Sequence, residues 1–106
     1  MAADDDMALG VEQALDEAGA PQTVWILGGG GMKEMVKKVK DRHPRCPATI
    51  TYPPSMIAAG MHLCVSNLRD GKPERIAEFL PRHIKLDVTL VTPENAAQFH
   101  FPDSVY

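Results

Sequence analysis

Hydrophobic residues recur along this chain with two different periods, which together predict an alternation of helices and strands. Near the amino end, apolar residues repeat at intervals of three and four between Asp5 and Ala18, as in a helix with one buried face. We expect Asp4 to cap this helix, and Gly19 to end it in the left-handed conformation that glycine tolerates. Acidic residues such as Glu12 are expected on its solvent face.

Two short apolar runs predict buried strands. Residues 23–27 are almost continuously apolar, and residues 48–52 are rich in β-branched side chains, so both are typical of a parallel sheet covered on two faces. Trp25 lies in the middle of the first run and is expected in the core. A second helix is expected between the runs, from Met32 to Arg42. A third opens at the prolines after Tyr52 and carries apolar residues at helical spacing.

The carboxyl-terminal third of the chain is less regular. Residues 73–81 fit either a helical turn or an extended arm. Residues 84–90 alternate apolar and polar, which predicts a strand with one wetter face, at a sheet edge or crossing between domains. Thr92 begins a short helix that reaches Phe99. The order of elements predicts an α/β fold, a three-layer Rossmann-like parallel sheet with right-handed crossovers.

Composition excludes several classes of function. The chain has 106 residues and a net charge of −3, which makes one domain or part of one and gives no basic surface for nucleic acid. No apolar run reaches the roughly 20 residues of a membrane span, and the acidic amino end is not a signal peptide. We therefore expect either a cytoplasmic protein or a fragment whose signal lay upstream.

The two cysteines, Cys46 and Cys64, make no disulfide framework, although they remain candidates for pairing in an oxidising compartment. Neither has metal-ligand spacing with the four scattered histidines. We therefore predict no metal site and no cofactor. No nucleophile, paired acid and base, or Cys–His dyad is evident, so no catalytic residue is predicted and the chain is not expected to be an enzyme.

Three predicted helix starts carry candidate ligand-binding residues. They are residues 4–6, 28–31 and 52–55, which supply carboxylates, a run of four glycines and a tyrosine. Because the carboxyl ends of parallel strands meet at one edge of a sheet, we expect the three segments to converge there and to form a ligand site.

Each of these candidates has a structural alternative. Asp4 and Asp5 either accept hydrogen bonds from ligand hydroxyls or only cap the helix and offset its dipole. Gly29 and Gly30 either bring backbone N–H groups to a ligand or only form a tight turn. The glycine run lacks the endings of phosphate-binding and dinucleotide-binding loops. Tyr52 either contacts the ligand or packs as an ordinary aromatic residue.

Taken in order, these motifs resemble the carboxy-terminal portion of the sugar-type periplasmic binding proteins of ABC transporters, which have the type 1, LacI-like fold. The resemblance rests on the opening Asp4-Asp5-Asp6-Met7-Ala8-Leu9-Gly10, the glycine-rich turn, Ala48–Pro54 and Arg69–Lys72. It implies two α/β lobes with a sugar or polyol in the cleft between them, and closure of the lobes that a membrane permease recognises. It also implies a periplasmic full-length parent.

The resemblance also suggests roles for individual residues. Asp4 takes the place of a polar residue, usually Asn or Asp, that bonds sugar hydroxyls. Tyr52 takes the place of a polar residue near the hinge that touches the sugar. Gly30 falls where many members carry Asp in a Gly-Phe-Asp-Gly turn, so this chain departs from the usual contact pattern and the identity of its sugar does not transfer.

By the same resemblance the chain is an incomplete fragment of the two-lobe fold. Residues 1–52 would belong to the carboxy-terminal lobe, residues 53–88 would pack on the amino-terminal lobe, and residues 89–106 would form the return crossover and tail. Such a fragment exposes apolar surface, so marginal stability or self-association is expected. Two alternatives remain: a small α/β domain that binds a nucleotide or phosphate through Gly28–Gly31, and the inducer-binding fragment of a LacI-like regulator.

Overall fold

The computed structural model describes residues 1–52, 55–69 and 83–104. In chain order its elements are α1 (Asp5–Glu17), α2 (Lys33–Lys40), β1 (Thr49–Thr51), α3 (Ser55–Arg69), β2 (Thr89–Val91) and a 3-10 helix (Ala96–Gln98). The chain divides into two compact units, one of residues 1–52 with 88–106 and the other of residues 53–87. The predicted arm at 73–81, the turn before it and the two prolines after Tyr52 lie outside the described residues.

The ends of α1 confirm the predicted signals. The Asp4 side chain accepts a hydrogen bond from the amide of Met7 at 2.8 Å, as an N-cap does. Gly19 has a φ of +63°, and the amide of Ala20 returns to the carbonyl of Leu15. This is the hydrogen bond of a Schellman motif, which satisfies a carbonyl that the helix leaves unpaired.

The buried face of α1 is not the purely apolar one that its spacing predicts. Its buried residues are Asp5, Ala8 and Glu12, whereas Val11 is largely exposed. The prediction that Glu12 lies on the solvent face is wrong: its side chain is only 7% exposed, and Lys38 of α2 neutralises its carboxylate at 2.8 Å. A paired charge can be buried where an unpaired one cannot.

The described strands are short and antiparallel. β1 pairs with β2 in the register Thr49 to Val91, Ile50 to Leu90 and Thr51 to Thr89. Parallel pairing is limited to single bridges, which join Leu27 to Ala48 and Gly30 to Thr51. The described residues therefore form a mixed α/β structure with a two-stranded sheet, and the predicted three-layer parallel sheet is not present among them.

The predicted strand at residues 23–27 is reduced to the single bridge at Leu27, and its burial differs from the prediction. Ile26 is buried, but Trp25 is 61% exposed, so the expectation of a core tryptophan is wrong. Successive side chains of an extended segment point to opposite faces. Ile26 therefore reaches the core while Trp25 points away from it, and no described element covers the indole.

The core of the first unit consists of two clusters on either side of α2. Met35 packs with Ala8, Ile26 and Cys46. Val36 and Val39 pack instead with Val91 and Ala96, and Phe99 covers their edge. Because both clusters include residues of α2, this short helix links α1 to β2 and the 3-10 helix. It therefore fixes the position of the glycine run that precedes it.

In the second unit, α3 carries exposed apolar side chains at intervals of four, four and three residues: Ile57, Met61, Val65 and Leu68. Residues at these intervals lie on one face of a helix. The described helices include none whose length and apolar character would allow it to cross a bilayer.

Candidate ligand-binding edge

Of the three segments predicted to converge, the start of α1, the glycine run and Tyr52 lie together in the first unit. The hydroxyl of Tyr52 donates a hydrogen bond to the carbonyl oxygen of Gly29 at 3.2 Å. A β-carbon on Gly29 would lie 3.3 Å from the Tyr52 ring and 3.4 Å from the carbonyl oxygen of Ala3. The amino end of α1, the glycine run and Tyr52, directly after β1, therefore share one edge, which confirms the predicted convergence for these residues.

Asp4 is the half-buried carboxylate of this edge. Its Oδ1 accepts the amide of Met7, which is the N-cap bond of α1. Its Oδ2 accepts no hydrogen bond from residues 1–52, 55–69 or 83–104. A carboxylate offers about four lone-pair directions, so Asp4 can cap the helix and still accept a hydrogen bond from another molecule.

Asp5 is directed into the protein. It is 1% exposed, its Oδ2 accepts the amide of Met32 at 2.7 Å, and its Oδ1 accepts the hydroxyl of Thr49 at 2.8 Å. This single side chain joins the start of α1, the start of α2 and β1. Direct ligand binding by Asp5 remains a prediction, and the geometry favours a supporting role. Thr49 was missed by the sequence analysis; its signal is a hydroxyl residue within an otherwise buried strand.

The glycine run is shaped by close packing as well as by its backbone. A β-carbon on Gly28 would overlap Oδ1 of Asp5 and lie 3.3 Å from the end of the Met35 side chain. Gly31 has a φ of +80°, and a β-carbon there would lie 2.9 Å from Cγ2 of Thr51. Residue 28 must therefore lack a side chain so that the carboxylate of Asp5 can fit beneath the loop.

Gly29 and Gly30, the two predicted ligand contacts of the run, are both buried. The amide of Gly30 donates to the carbonyl of Ile50 at 2.7 Å, so that donor is already engaged. The carbonyl of Gly29 accepts the Tyr52 hydroxyl. These two glycines are buried beneath the edge, whereas Asp4 and Tyr52 are each half-buried.

The charge at the start of α2 bears on the phosphate-binding alternative. A phosphate held by a glycine-rich loop accepts hydrogen bonds from amides at the amino end of the following helix. Here Asp5 supplies a carboxylate to the first of these amides, that of Met32. A second anion there would meet like charge. The geometry therefore favours a neutral hydroxyl-bearing ligand over a phosphate.

A second cluster of polar residues lies between α1 and the end of α2, and the sequence analysis missed it. Oε1 of Glu12 lies 3.4 Å from Nδ1 of His43. Burial, followed by the negative charge of Glu12, raises the pKa of the fully buried Cys46 from 9.0 to about 11. The signal in the sequence is the spacing His43-Pro44-Arg45-Cys46, in which two metal-ligand residue types lie three positions apart.

Comparison with known proteins shows a similarity of fold. No family model matches the chain, and no curated protein matches it. Among solved structures, the chain is similar to a crystal structure of a galactofuranose binding protein, with 24% sequence identity and a TM-score of 0.68. The match covers 92% of this chain and 31% of that protein. The chain thus shares the fold of that protein over less than a third of its length.

Proposed function

We propose that this chain contributes to the binding of a neutral carbohydrate or polyol at the edge formed by Asp4, Gly29, Gly30 and Tyr52. The observation that carries the proposal is the convergence of these segments, in which the Tyr52 hydroxyl lies 3.2 Å from the Gly29 carbonyl oxygen. The fold shared with a galactofuranose binding protein supports a sugar over other neutral ligands. Binding without catalysis is the proposed activity.

In this proposal Asp4 is the principal acceptor. Its Oδ2, to which no described residue donates, would accept a ligand hydroxyl, and hydrogen bonds to a charged acceptor are stronger than those between neutral groups. Tyr52 would contribute the face of its ring and the lone pairs that its hydroxyl keeps after donating to Gly29. Gly29 and Gly30 would let the ligand approach the backbone closely, and Asp5 would hold the loop from below.

We infer further that the chain belongs to the solute receptor of an ABC transporter and acts outside the cytoplasm with a membrane permease. The support is the resemblance of the motifs and the shared fold. The chain spans 31% of the similar protein, so it would supply only one wall of a sugar cleft. We therefore expect the chain alone to bind the sugar weakly.

An NMR titration tests the sugar proposal at residue resolution. The ¹⁵N-labelled chain is titrated with aldoses in pyranose and furanose forms, ketoses, polyols and oligosaccharides. Saturable shifts are expected at Gly29, Gly30 and Tyr52 for at least one of them. Absence of shifts at this edge across the whole panel, from a folded chain, would contradict the proposal.

Two matched variants identify the acceptor. Asp4→Asn keeps a good N-cap but removes the charge, so affinity should fall by about tenfold, the difference between a charged and a neutral acceptor. Asp6→Asn makes the same chemical change at an exposed position two residues further along the chain and should leave affinity unchanged. Equal effects of the two substitutions would indicate a general charge effect and would rule out Asp4 as the acceptor.

A further inference from the structure

A cluster of potential metal ligands lies beside the core, in the first unit. One ligand atom each from Glu12, His43 and Cys46 lies within 4.8 Å of the others. Glu12 is supplied by α1, whereas His43 and Cys46 belong to the single turn that follows α2. The cluster uses none of the residues of the proposed sugar site.

The turn that presents His43 and Cys46 is built by the backbone. Arg42 has a φ of +57°, and the amide of His43 returns to the carbonyl of Lys38, which ends α2 in a Schellman motif. The amide of Cys46 then bonds the carbonyl of His43 at 3.1 Å. These bonds bring the two side chains to the same side as Glu12 without any contribution from a ligand.

One atom of the cluster lacks a hydrogen-bond partner among the described residues. Nδ1 of His43 is buried and accepts or donates no hydrogen bond within them, although it lies 3.4 Å from Oε1 of Glu12. A buried polar atom without a partner is costly and calls for an explanation. A cation bound beside Nδ1 would satisfy the nitrogen and would compete with Lys38 for Glu12, whose Oε1 accepts the Lys38 ammonium at 3.0 Å.

We propose that Glu12, His43 and Cys46 bind a transition-metal ion of the Zn²⁺ class. Ligand atoms bound to one tetrahedral Zn²⁺ at about 2.0–2.3 Å lie roughly 3.3–3.6 Å apart. The observed separation of 3.4 Å between Glu12 and His43 meets this requirement. Because Sγ of Cys46 lies within 4.8 Å of both, it needs to move by about 1 Å at most to bind the same ion. Three protein ligands leave a fourth position for water.

Charge balance defines what must change when the ion binds. The Cys46 thiol gives up its proton to solvent, because the thiolate is the form that binds metal. The ammonium of Lys38, now 2.8 Å from Oε2 of Glu12, leaves the carboxylate and keeps its proton. The Lys38 side chain is half-buried and can swing outward, so the site is accessible to the ion at the expense of one ion pair.

Cobalt spectroscopy on the whole chain tests the proposal. Under anaerobic conditions, Co²⁺ added to the metal-free chain should give a thiolate-to-metal charge-transfer band and the visible bands of tetrahedral Co²⁺, saturating at one ion per chain, and Zn²⁺ should displace it. Cys64, which is exposed on α3, offers a matched control. Cys46→Ser should abolish the charge-transfer band, and Cys64→Ser should leave it intact.

Two further variants keep the test decisive if Cys46→Ser does not fold. His43→Ala, in a half-buried turn, should weaken Co²⁺ binding by roughly tenfold or more. Lys38→Met removes the competing cation and should tighten binding by on the order of tenfold. A wild-type chain without charge-transfer absorption, or a band that is lost with Cys64→Ser and kept in Cys46→Ser, would overturn the proposal.

Discussion

The contact between Gly28 and Asp5 gives the sharpest prediction about this fold. In Gly28→Ala the new methyl group would overlap Oδ1 of Asp5 and lie 3.2 Å from its Cγ. The carboxylate cannot retreat without losing the hydrogen bonds it accepts from Thr49 at 2.8 Å and Met32 at 2.7 Å. The smallest possible side chain should therefore disturb the junction of α1, α2 and β1.

The magnitude follows from those two bonds. Each hydrogen bond to a charged group contributes about 1.5–3 kcal/mol, and a partly separated buried carboxylate loses much of both. Replacing glycine by alanine lowers the conformational entropy of the unfolded chain, which offsets this loss by about 0.4–1 kcal/mol of stability. The free energy of unfolding should therefore fall by about 2–4 kcal/mol, a large fraction of the roughly 5–15 kcal/mol of an ordinary domain.

Urea denaturation, followed by circular dichroism, measures this change. Gly10→Ala is the matched control, because Gly10 lies within α1 and a β-carbon there meets nothing within 4 Å. That substitution should stabilise the chain by about 0.5–1 kcal/mol. In an Asp5→Ala background, Gly28→Ala should have little effect, since the overlapping atom is gone. A Gly28→Ala chain as stable as wild type, or additive effects in the double variant, would refute the reasoning.

Three further predictions use residues of the same unit. Thr49→Val removes one donor to Asp5 and should lower the free energy of unfolding by about 1–3 kcal/mol in urea denaturation; no change would mean that the Oδ1 bond is dispensable. The pKa of Cys46 is raised from 9.0 to about 11, so its thiol stabilises the fold below pH 9 and loses this contribution as pH rises toward 11. With a chelator present, wild type should lose about 1 kcal/mol more than Cys46→Ala between pH 8 and pH 10, and parallel pH curves would contradict this. The single tryptophan, Trp25, is 61% exposed and should show red-shifted emission that iodide quenches; shielded, blue-shifted emission would show that the indole is covered, for instance by self-association.

Local signals in the sequence predicted the helices well. The apolar periodicity, the Asp4 cap and Gly19 define α1 within one residue of its observed end, because capping depends on residues close in the chain. The strands were less predictable. Strand pairing depends on partners distant in sequence, and β1 pairs with β2 about 40 residues away.

The wrong predictions at Glu12 and Trp25 have one cause: whether a side chain is buried depends on which other elements of the fold pack against it. Glu12 is buried because Lys38 approaches it from another helix. The spacing of residues within α1 cannot predict a contact with a different helix. Trp25 is a large side chain within an apolar run, which is typical of a core residue, yet no described element packs over its ring. Arg45, also missed, is buried because its guanidinium donates to Asp16 and to the carbonyls of Ala20 and Pro21, where α1 ends and the chain turns.

The neighbouring aspartates Asp4 and Asp5 differ in their hydrogen-bond partners, and this difference indicates the charge of the ligand. At the N-cap, Asp4 accepts with Oδ1 the amide of Met7 in its own helix, and none of the residues that the structure describes donates to its Oδ2. One position on, Asp5 reaches the start of α2 instead. The Asp5 carboxylate already accepts the amide hydrogen bond that an anionic ligand would accept. The glycine run also lacks the lysine of phosphate-binding loops, which agrees with a ligand that is not a phosphate. The other carboxylate, Asp4, belongs to the same edge as the Tyr52 hydroxyl, and two such groups are suited to a neutral ligand rich in hydroxyl groups.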